Sequence, residues 1–227
     1  MTVLHLADEG EAADLAAFLS RLLHYDRGAA VRLQAAGTAL AVFGRPPSFE
    51  VLAIRAVRLA KPYENGLDVT LDVTVSAGEL LESVDEAAGT AVVPAAVTGP
   101  PWAGVLPPRG GWRREAGLPA PGELGKLVGA AVAEFRSRTQ ELAPERRTRA
   151  ELDRIGREIW SRTVGETPLP VRAVHAAQSL GFLRPRGAAG QSELGLLSSG
   201  AWLRLRTPYG SIAVRRAGLG ALDVSVR

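Results

Sequence analysis

The sequence predicts an α+β fold, with an antiparallel sheet and helices in the N-terminal part and a helical C-terminal part that ends in a β-hairpin. Three observations predict it. Apolar residues recur at helical spacing from Asp8 to Tyr25, and apolar residues alternate with polar ones from Leu67 to Val75. Three further helical patterns after residue 122 precede two alternating segments on either side of Thr207-Pro-Tyr-Gly210.

The first helix is predicted to begin at Asp8, because Asp8 and Glu11 have the spacing of a capping box. Three strands are predicted next, over residues 30–35, 38–43 and 49–59. The third of these has apolar residues on both faces, which is typical of a strand with neighbours above and below the sheet. We therefore expect it to be central.

The strand from Leu67 follows Asn65-Gly66, a pair that readily supplies the left-handed residues of a hairpin turn. Ser76 and Glu79 then have the spacing of a second capping box. A short helix is predicted after Ser76.

The middle of the chain is rich in glycine and proline and contains Trp102 and Trp112. Indole rings are strongly stabilised by burial, so this segment is expected to be an ordered strap or a linker that packs on the protein. The predicted organisation is an acidic α+β domain over 1–89, the linker or strap over 90–121, and a basic helical domain with a β-hairpin over 122–227. The last has the element order of a winged helix.

Three helices are predicted in the C-terminal part, over residues 124–142, 145–164 and 170–180, followed by strands over 202–206, 211–216 and 222–226. Gly181 is the predicted stop of the third helix. On the first helix, Gly125, Gly129 and Ala133 form a stripe of small residues. We expect another helix to pack closely against it.

Composition excludes several classes of site and location. The chain has no cysteine, so disulfides and thiolate sites are excluded. The uncharged stretch 87–108 contains five prolines, which argues against a membrane-spanning helix, and the N-terminus lacks the pattern of a secretory signal. We therefore expect a cytoplasmic protein without a membrane partner.

Charge is distributed unevenly along the chain. Residues 1–89 contain 13 acidic and 7 basic residues, whereas the remaining 138 residues contain 11 acidic and 20 basic residues. Nearly all the basic residues are arginines. This asymmetry favours an acidic partner for the C-terminal part, either a protein or a nucleic acid, or self-association into a homo-oligomer.

The C-terminal hairpin is the strongest candidate site. Alternation along its first strand places Trp202, Arg204 and Arg206 on one face, and Arg215 and Arg216 lie in the partner strand. Arginines around an indole ring can hold phosphates and stack on a base. In a winged-helix arrangement, residues 171–183 would be the recognition helix.

A second basic cluster lies on the helix predicted over 145–164. Most of its arginines have a carboxylate at helical spacing and are expected to form local ion pairs. Arg146 and Arg149 are the least compensated, so they are included among the candidate partner-binding residues.

No pattern predicts a catalytic site, a cofactor or a metal. The histidines His5, His24 and His175 are scattered along the chain. Asp68 and Asp72 share a strand face, but four residues along a strand separate them by about 13 Å, too far for one metal ion.

Two segments, Pro100-Pro-Trp-Ala-Gly-Val-Leu-Pro-Pro-Arg-Gly-Gly-Trp112 and Ala173-Val-His-Ala-Ala-Gln-Ser-Leu-Gly-Phe-Leu183, resemble parts of uncharacterised proteins from high-GC actinobacteria. The resemblance implies no activity and assigns no site residues.

The sequence thus favours a non-enzymatic binding or regulatory protein whose basic C-terminal part engages an acidic partner. The alternatives are a nucleic-acid-binding protein that uses the C-terminal hairpin and an enzyme with a site between the two halves. The favoured interpretation requires that positive charge be concentrated on one exposed face and not be neutralised locally.

Overall fold

The computed structural model describes residues 2–60, 71–102, 104–184 and 194–216, and it confirms the α+β fold. Within these ranges the α-helices are α1 (Glu9–Tyr25), α2 (Ala77–Glu82), α3 (Pro121–Gln140), α4 (Arg149–Trp160) and α5 (Val171–Ser179). Single 3-10 turns are formed by Pro47–Phe49 and Pro144–Arg146.

The strands are short and all pair antiparallel. They are β1 (Val3–His5), β2 (Ala30–Ala36), β3 (Ala39–Gly44), β4 (Leu52–Arg58), β5 (Asp72–Ser76), β6 (Val84–Asp85), β7 (Thr90–Val92), β8 (Arg113–Glu115), β9 (Gly195–Ser199), β10 (Trp202–Thr207) and β11 (Gly210–Arg215). A small sheet has the order β1-β7-β6, and a large sheet has the order β5-β2-β3-β4-β11-β10-β9-β8.

Strand β4 is central in the large sheet, as its two apolar faces predict. It pairs with β3 on one side and with β11 on the other, where Ile54 lies opposite Ser211 and Leu52 opposite Ala213. The C-terminal hairpin is therefore an interior part of a sheet that strands from both halves of the chain form together.

Three of the predicted helix ends are confirmed, whereas the helix predicted over 145–164 is shorter and spans Arg149–Trp160. The Asp8 side chain accepts a hydrogen bond of 2.8 Å from the Glu11 amide, and Ser76 accepts one of 3.3 Å from the Glu79 amide. Each bond satisfies an amide that has no partner within its helix. Helix α5 ends just before Gly181, whose φ of 74° suits a residue without a Cβ.

Helices cover one face of the large sheet. Leu15 of α1, Ala53 of β4, Val174 of α5 and Leu205 of β10 all belong to one buried cluster that runs through both halves. Such a continuous core is the main source of stability. The side chains next to these on each strand face the other side of the sheet.

The segment between β7 and β8 crosses that other side. Trp102 is buried there in a second apolar cluster whose members come from both halves: Phe43, Leu52, Ile54 and Ala213. We call residues 98–112 the strap. Its Gly110 carbonyl accepts a hydrogen bond from the Ser199 hydroxyl, so the strap reaches from the central strands to β9.

Several expectations about single elements are wrong. Strand β8 lies within residues 90–121, where the sequence predicts a linker or strap, and β9 lies in a segment for which no strand is predicted. Within the described ranges, no other helix packs against Gly125 or Gly129 of α3: apart from the nearby backbone of α3 itself, no heavy atom lies within 4 Å of the position a Cβ would take at either glycine. The turn at Asn65-Gly66 and the strand over 222–226 lie outside the described residues.

Among the residues that the structure describes, no helix combines the length and the apolar character needed to cross a membrane.

Candidate anion-binding site

Strand β10 presents arginines on the face of the sheet opposite the helices. Leu203 and Leu205 point into the main core. Because side chains alternate along a strand, Trp202, Arg204 and Arg206 lie on the other face, as the sequence predicts.

Arg204 is held in place by two neutral neighbours. Its Nε donates a hydrogen bond of 2.9 Å to the hydroxyl of Ser211, and its guanidinium carbon lies 5.8 Å from the centre of the Trp112 ring. Burial lowers the pKa of the Arg204 guanidinium, and the positive charge of Arg206 acts in the same direction. Two like charges therefore stand side by side, and none of the acidic residues that the structure describes pairs with Arg204.

Arg206 is exposed and lies opposite Ser211 on one neighbouring strand and opposite Gly195 on the other. Among described residues other than Gly195 and its two chain neighbours, no heavy atom lies within 4 Å of the position a Cβ would take at Gly195. Within the described part of the chain, the glycine therefore leaves open space on the sheet beside Arg206. Arg204 and Arg206 are two residues apart on one strand, so their Cα atoms are separated by about 7 Å.

These residues define what we call the Arg204/Arg206 site: Arg204, Arg206, Ser211, Gly195 and Trp112. Among the residues described, neither arginine forms an ion pair with a carboxylate. Guanidinium groups donate paired hydrogen bonds to phosphate and carboxylate oxygens, and the two here can reach one anion or two adjacent ones. Trp112 adds a half-buried aromatic ring.

Trp202 and Arg215 share this face but are engaged by the strap. The Arg215 guanidinium lies 5.0 Å from the centre of the Trp202 ring and donates a hydrogen bond to the Gly104 carbonyl. Trp202 also packs against the second apolar cluster. Both residues adjoin the Arg204/Arg206 site but are bound within the fold.

Three of the predicted partner-binding arginines lie elsewhere. Arg216 follows β11 on the opposite face and forms an ion pair of 3.0 Å with Glu115. Arg146 lies in the 3-10 turn just before α4, and Arg149 is the first residue of α4. They approach Glu151 at 3.4 Å and Asp153 at 3.9 Å, respectively. The structure therefore does not bring these three together with Arg204 and Arg206.

Several arginines of the helical layer are neutralised locally by carboxylates. Ion pairs connect α3 with α4 and the residues just after it, including Arg138 with Glu158 at 2.6 Å and Arg162 with Glu134 at 2.5 Å. The hydrogen bond from Arg138 is the largest of the causes that lower the pKa of Glu158 to about 2. These paired arginines therefore do not form the exposed positive surface that the sequence suggests. Arg204 and Arg206 differ from them because no carboxylate among the described residues pairs with either one.

A buried charge network between the halves has no counterpart in the sequence analysis. Arg55 of β4 donates hydrogen bonds to Glu11 at 2.8 Å, to Asp14 at 3.3 Å and to the Tyr209 carbonyl at 2.8 Å. Arg184 also pairs with Asp14, and its guanidinium lies 3.8 Å from the centre of the Tyr209 ring. Arg55 sits in an apolar stretch of sequence, where no local pattern indicates its partners.

The cavity beside this network is small. It has a volume of about 10 Å³ and is lined by Arg55, Arg184 and Phe182, among others. Sites for small substrates usually measure roughly 300–1,000 Å³. A larger open groove of about 590 Å³ lies elsewhere, between Asp26, Pro47 and Gly99. The cavity between the halves therefore does not have the dimensions of a substrate site.

Taken together, the fold and the site define an α+β protein with a small and a large antiparallel sheet; helices cover one face of the large sheet, and Arg204 and Arg206 lie on its other face. Residues 1–104 match the family described as "Domain of unknown function (DUF8010)", and residues 107–219 match "Domain of unknown function (DUF8185)". The two matches together cover nearly the whole chain, and both are to domains of unknown function. Comparison with curated proteins and with solved structures found no match.

Proposed function

We propose that this chain is a non-enzymatic binding protein that engages a polyanionic partner through the Arg204/Arg206 site. The supporting observation is the pair of adjacent guanidinium groups whose described neighbours are a hydroxyl, an indole and a glycine. An anion placed there would relieve the repulsion between Arg204 and Arg206. It would also interact more strongly than with fully hydrated arginines, because Arg204 is partly withdrawn from water.

The alternative account of these residues is structural. Arginine side chains can cover apolar surface with their methylene groups and bind nothing. The two accounts differ in what truncation does: a covering arginine contributes to stability, whereas a binding arginine contributes to affinity for anions. A test of anion binding therefore has to compare variants that lose the same number of arginines at different places on the protein.

The test compares two double variants that remove equal charge from different places. Arg204→Ala with Arg206→Ala alters the proposed site, whereas Arg146→Ala with Arg149→Ala alters the start of α4. We expect the first variant to elute from immobilised heparin at clearly lower salt than the wild-type protein, and the second to elute close to the wild type. Circular dichroism verifies that each variant is folded.

Because Arg204 is partly buried, Arg206→Gln serves as a milder variant that leaves the contacts of Arg204 intact. We expect it to shift elution in the same direction by a smaller amount. The proposal fails if the α4 variant loses as much retention as the β10 variant, or if none of the variants differs from the wild type.

A further inference from the structure

We infer that the polyanion is a single-stranded nucleic acid whose phosphates bind Arg204 and Arg206 and one of whose bases stacks on Trp112. This inference rests on the proposed function and specifies the ligand of the same site.

Trp112 is positioned as a stacking surface. Its Nε1 donates a hydrogen bond of 3.1 Å to the Pro108 carbonyl, which anchors one edge of the ring to the strap. The ring is half-buried, in contrast to Trp102, which is buried in the second apolar cluster. A fixed and partly accessible indole beside a guanidinium pair offers a base its π face and a phosphate its charge partners.

The floor of the site is also suited to a flat group. On one neighbouring strand Arg206 is flanked by Gly195, which has no side chain. On the other strand it is flanked by Ser211, which is buried and accepts a hydrogen bond from Arg204, so the open side of Arg206 is the side of Gly195. A planar base can therefore approach the sheet beside Arg206. The arginines and the indole together provide contacts for about one or two nucleotides.

An acidic protein partner makes less use of this arrangement. Carboxylates would pair with Arg204 and Arg206 but would gain little from the neighbouring indole, since they have no aromatic face. The indole thus distinguishes a nucleic acid from an acidic peptide.

Duplex DNA fits the face less well than a single strand. Reading a duplex groove requires an element that protrudes into it. The hairpin β10–β11 lies inside the sheet, and most of α5 is buried: Val171, Ala173, Val174, Ala176 and Ala177. A single strand can instead lie on the sheet surface with its bases unpaired and available for stacking.

The test measures binding of three fluorescent probes by anisotropy: a 20-nucleotide oligo-dT, a duplex of the same length, and a polyglutamate peptide. The proteins are the wild type, Arg204→Ala with Arg206→Ala, Trp112→Leu and Trp112→Phe. We expect tightest binding of the single strand. Loss of one stacked base predicts a roughly 5- to 150-fold weaker affinity for Trp112→Leu. Trp112→Phe should retain most of the affinity, and neither Trp112 variant should change binding of polyglutamate.

The outcomes separate the inference from the proposed function. If the arginine variant loses binding to the probes while Trp112→Leu binds the single strand as the wild type does, the site binds anions but the inference is overturned. Equal or tighter binding of the duplex or of polyglutamate also overturns the inference. If the arginine variant binds every probe like the wild type, both the inference and the proposed function fail.

Discussion

At the scale of single residues, the most consequential charge in the fold is Arg55. It is 5% exposed, and its partner Glu11 is 8% exposed. Charged groups taken out of water are tolerated only when they are paired, and removal of one partner leaves the other unsatisfied. Arg55 donates hydrogen bonds both to Glu11 of α1 and to the carbonyl of Tyr209, which lies in the turn between β10 and β11. It thereby connects α1 to the C-terminal hairpin.

Replacement of Arg55 by Met is therefore expected to lower the free energy of unfolding by about 3–5 kcal/mol. The matched control is Arg58→Met, which removes an arginine that also contacts Glu11 but has a side chain 65% exposed. Its expected cost is about 0–1 kcal/mol. Urea denaturation measures both. Similar costs for the two variants would show that the buried network does not stabilise the fold as proposed.

His175 makes stability depend on pH. Its ring stacks on Trp160 at 4.6 Å and meets the edge of Phe49 at 5.1 Å. Burial lowers the pKa of His175 below its ordinary value of 6.5. The unfolded chain therefore takes up the proton first, so the contribution of His175 to stability is complete above about pH 6.5 and is lost as the pH falls below it.

The variant His175→Phe keeps an aromatic ring in this position and removes the titration. We expect the wild-type urea midpoint to fall between pH 8 and pH 5 by more than that of the variant. A midpoint that falls equally in both proteins would assign the pH dependence to other groups.

At the scale of elements, two glycines with opposite roles allow a paired test. Gly129 lies on the exposed side of α3, whereas Gly181 has a φ of 74° at the end of α5. Gly129→Ala should raise the free energy of unfolding by about 0.4–1 kcal/mol, because alanine restricts the unfolded chain. Gly181→Ala should lower it by about 1–3 kcal/mol, because the left-handed conformation strains a residue with a Cβ.

Denaturant unfolding of the two glycine variants measures these changes. If Gly129→Ala destabilises the protein, the exposed side of α3 has a packing partner after all. If Gly181→Ala is neutral, the chain reversal after α5 does not depend on the left-handed residue.

Sequence patterns predicted the elements that are defined locally. Capping residues and helical periodicity located α1 and α2, and apolar residues on both faces predicted the central position of β4. Strand β9 was missed because Gly195-Leu-Leu-Ser-Ser199 contains no β-branched residue and resembles a loop. It is a strand because β10 and β8 supply hydrogen-bond partners on both sides.

The candidate site was predictable only in part, for the same reason. Alternation along β10 predicts that Arg204 and Arg206 share a face. No local pattern shows that Trp112, from the strap, lies beside Arg204, because that contact joins segments that are distant in sequence. The partners of Arg149 and Arg146 are local: Asp153 lies four residues after Arg149, and Glu151 lies five residues after Arg146, so the sequence analysis could have found them.

At the scale of the whole molecule, the two segments that match different families, 1–104 and 107–219, both contribute strands to the large sheet and residues to the main apolar cluster. Hydrogen bonds between β4 and β11 join them, and the main apolar cluster contains residues of both. A single core of this kind unfolds cooperatively. We therefore expect the most protected amides of β3 and of β10 to exchange with the same free energy of opening.

Native-state hydrogen exchange with peptide-level mass spectrometry measures this directly. Strand β3 lies in the segment 1–104 and β10 in the segment 107–219, so each reports on one family match. A markedly lower free energy of opening in one of the two strands would show that the segments unfold independently.

The whole molecule also contrasts two groups of arginines: those of the helical layer that form ion pairs with carboxylates, such as Arg138 and Arg162, and the pair Arg204 and Arg206, for which the described residues provide no ion pair. The salt dependence of oligo-dT binding tests this separation most directly, since each phosphate contact on a single strand contributes about 0.7 to the slope of log affinity against log salt concentration. We predict that Arg204→Ala with Arg206→Ala reduces the magnitude of the slope by about 1.4, whereas Arg146→Ala with Arg149→Ala leaves it unchanged. The same reduction in both variants, or in neither, would contradict the assignment of binding to this face.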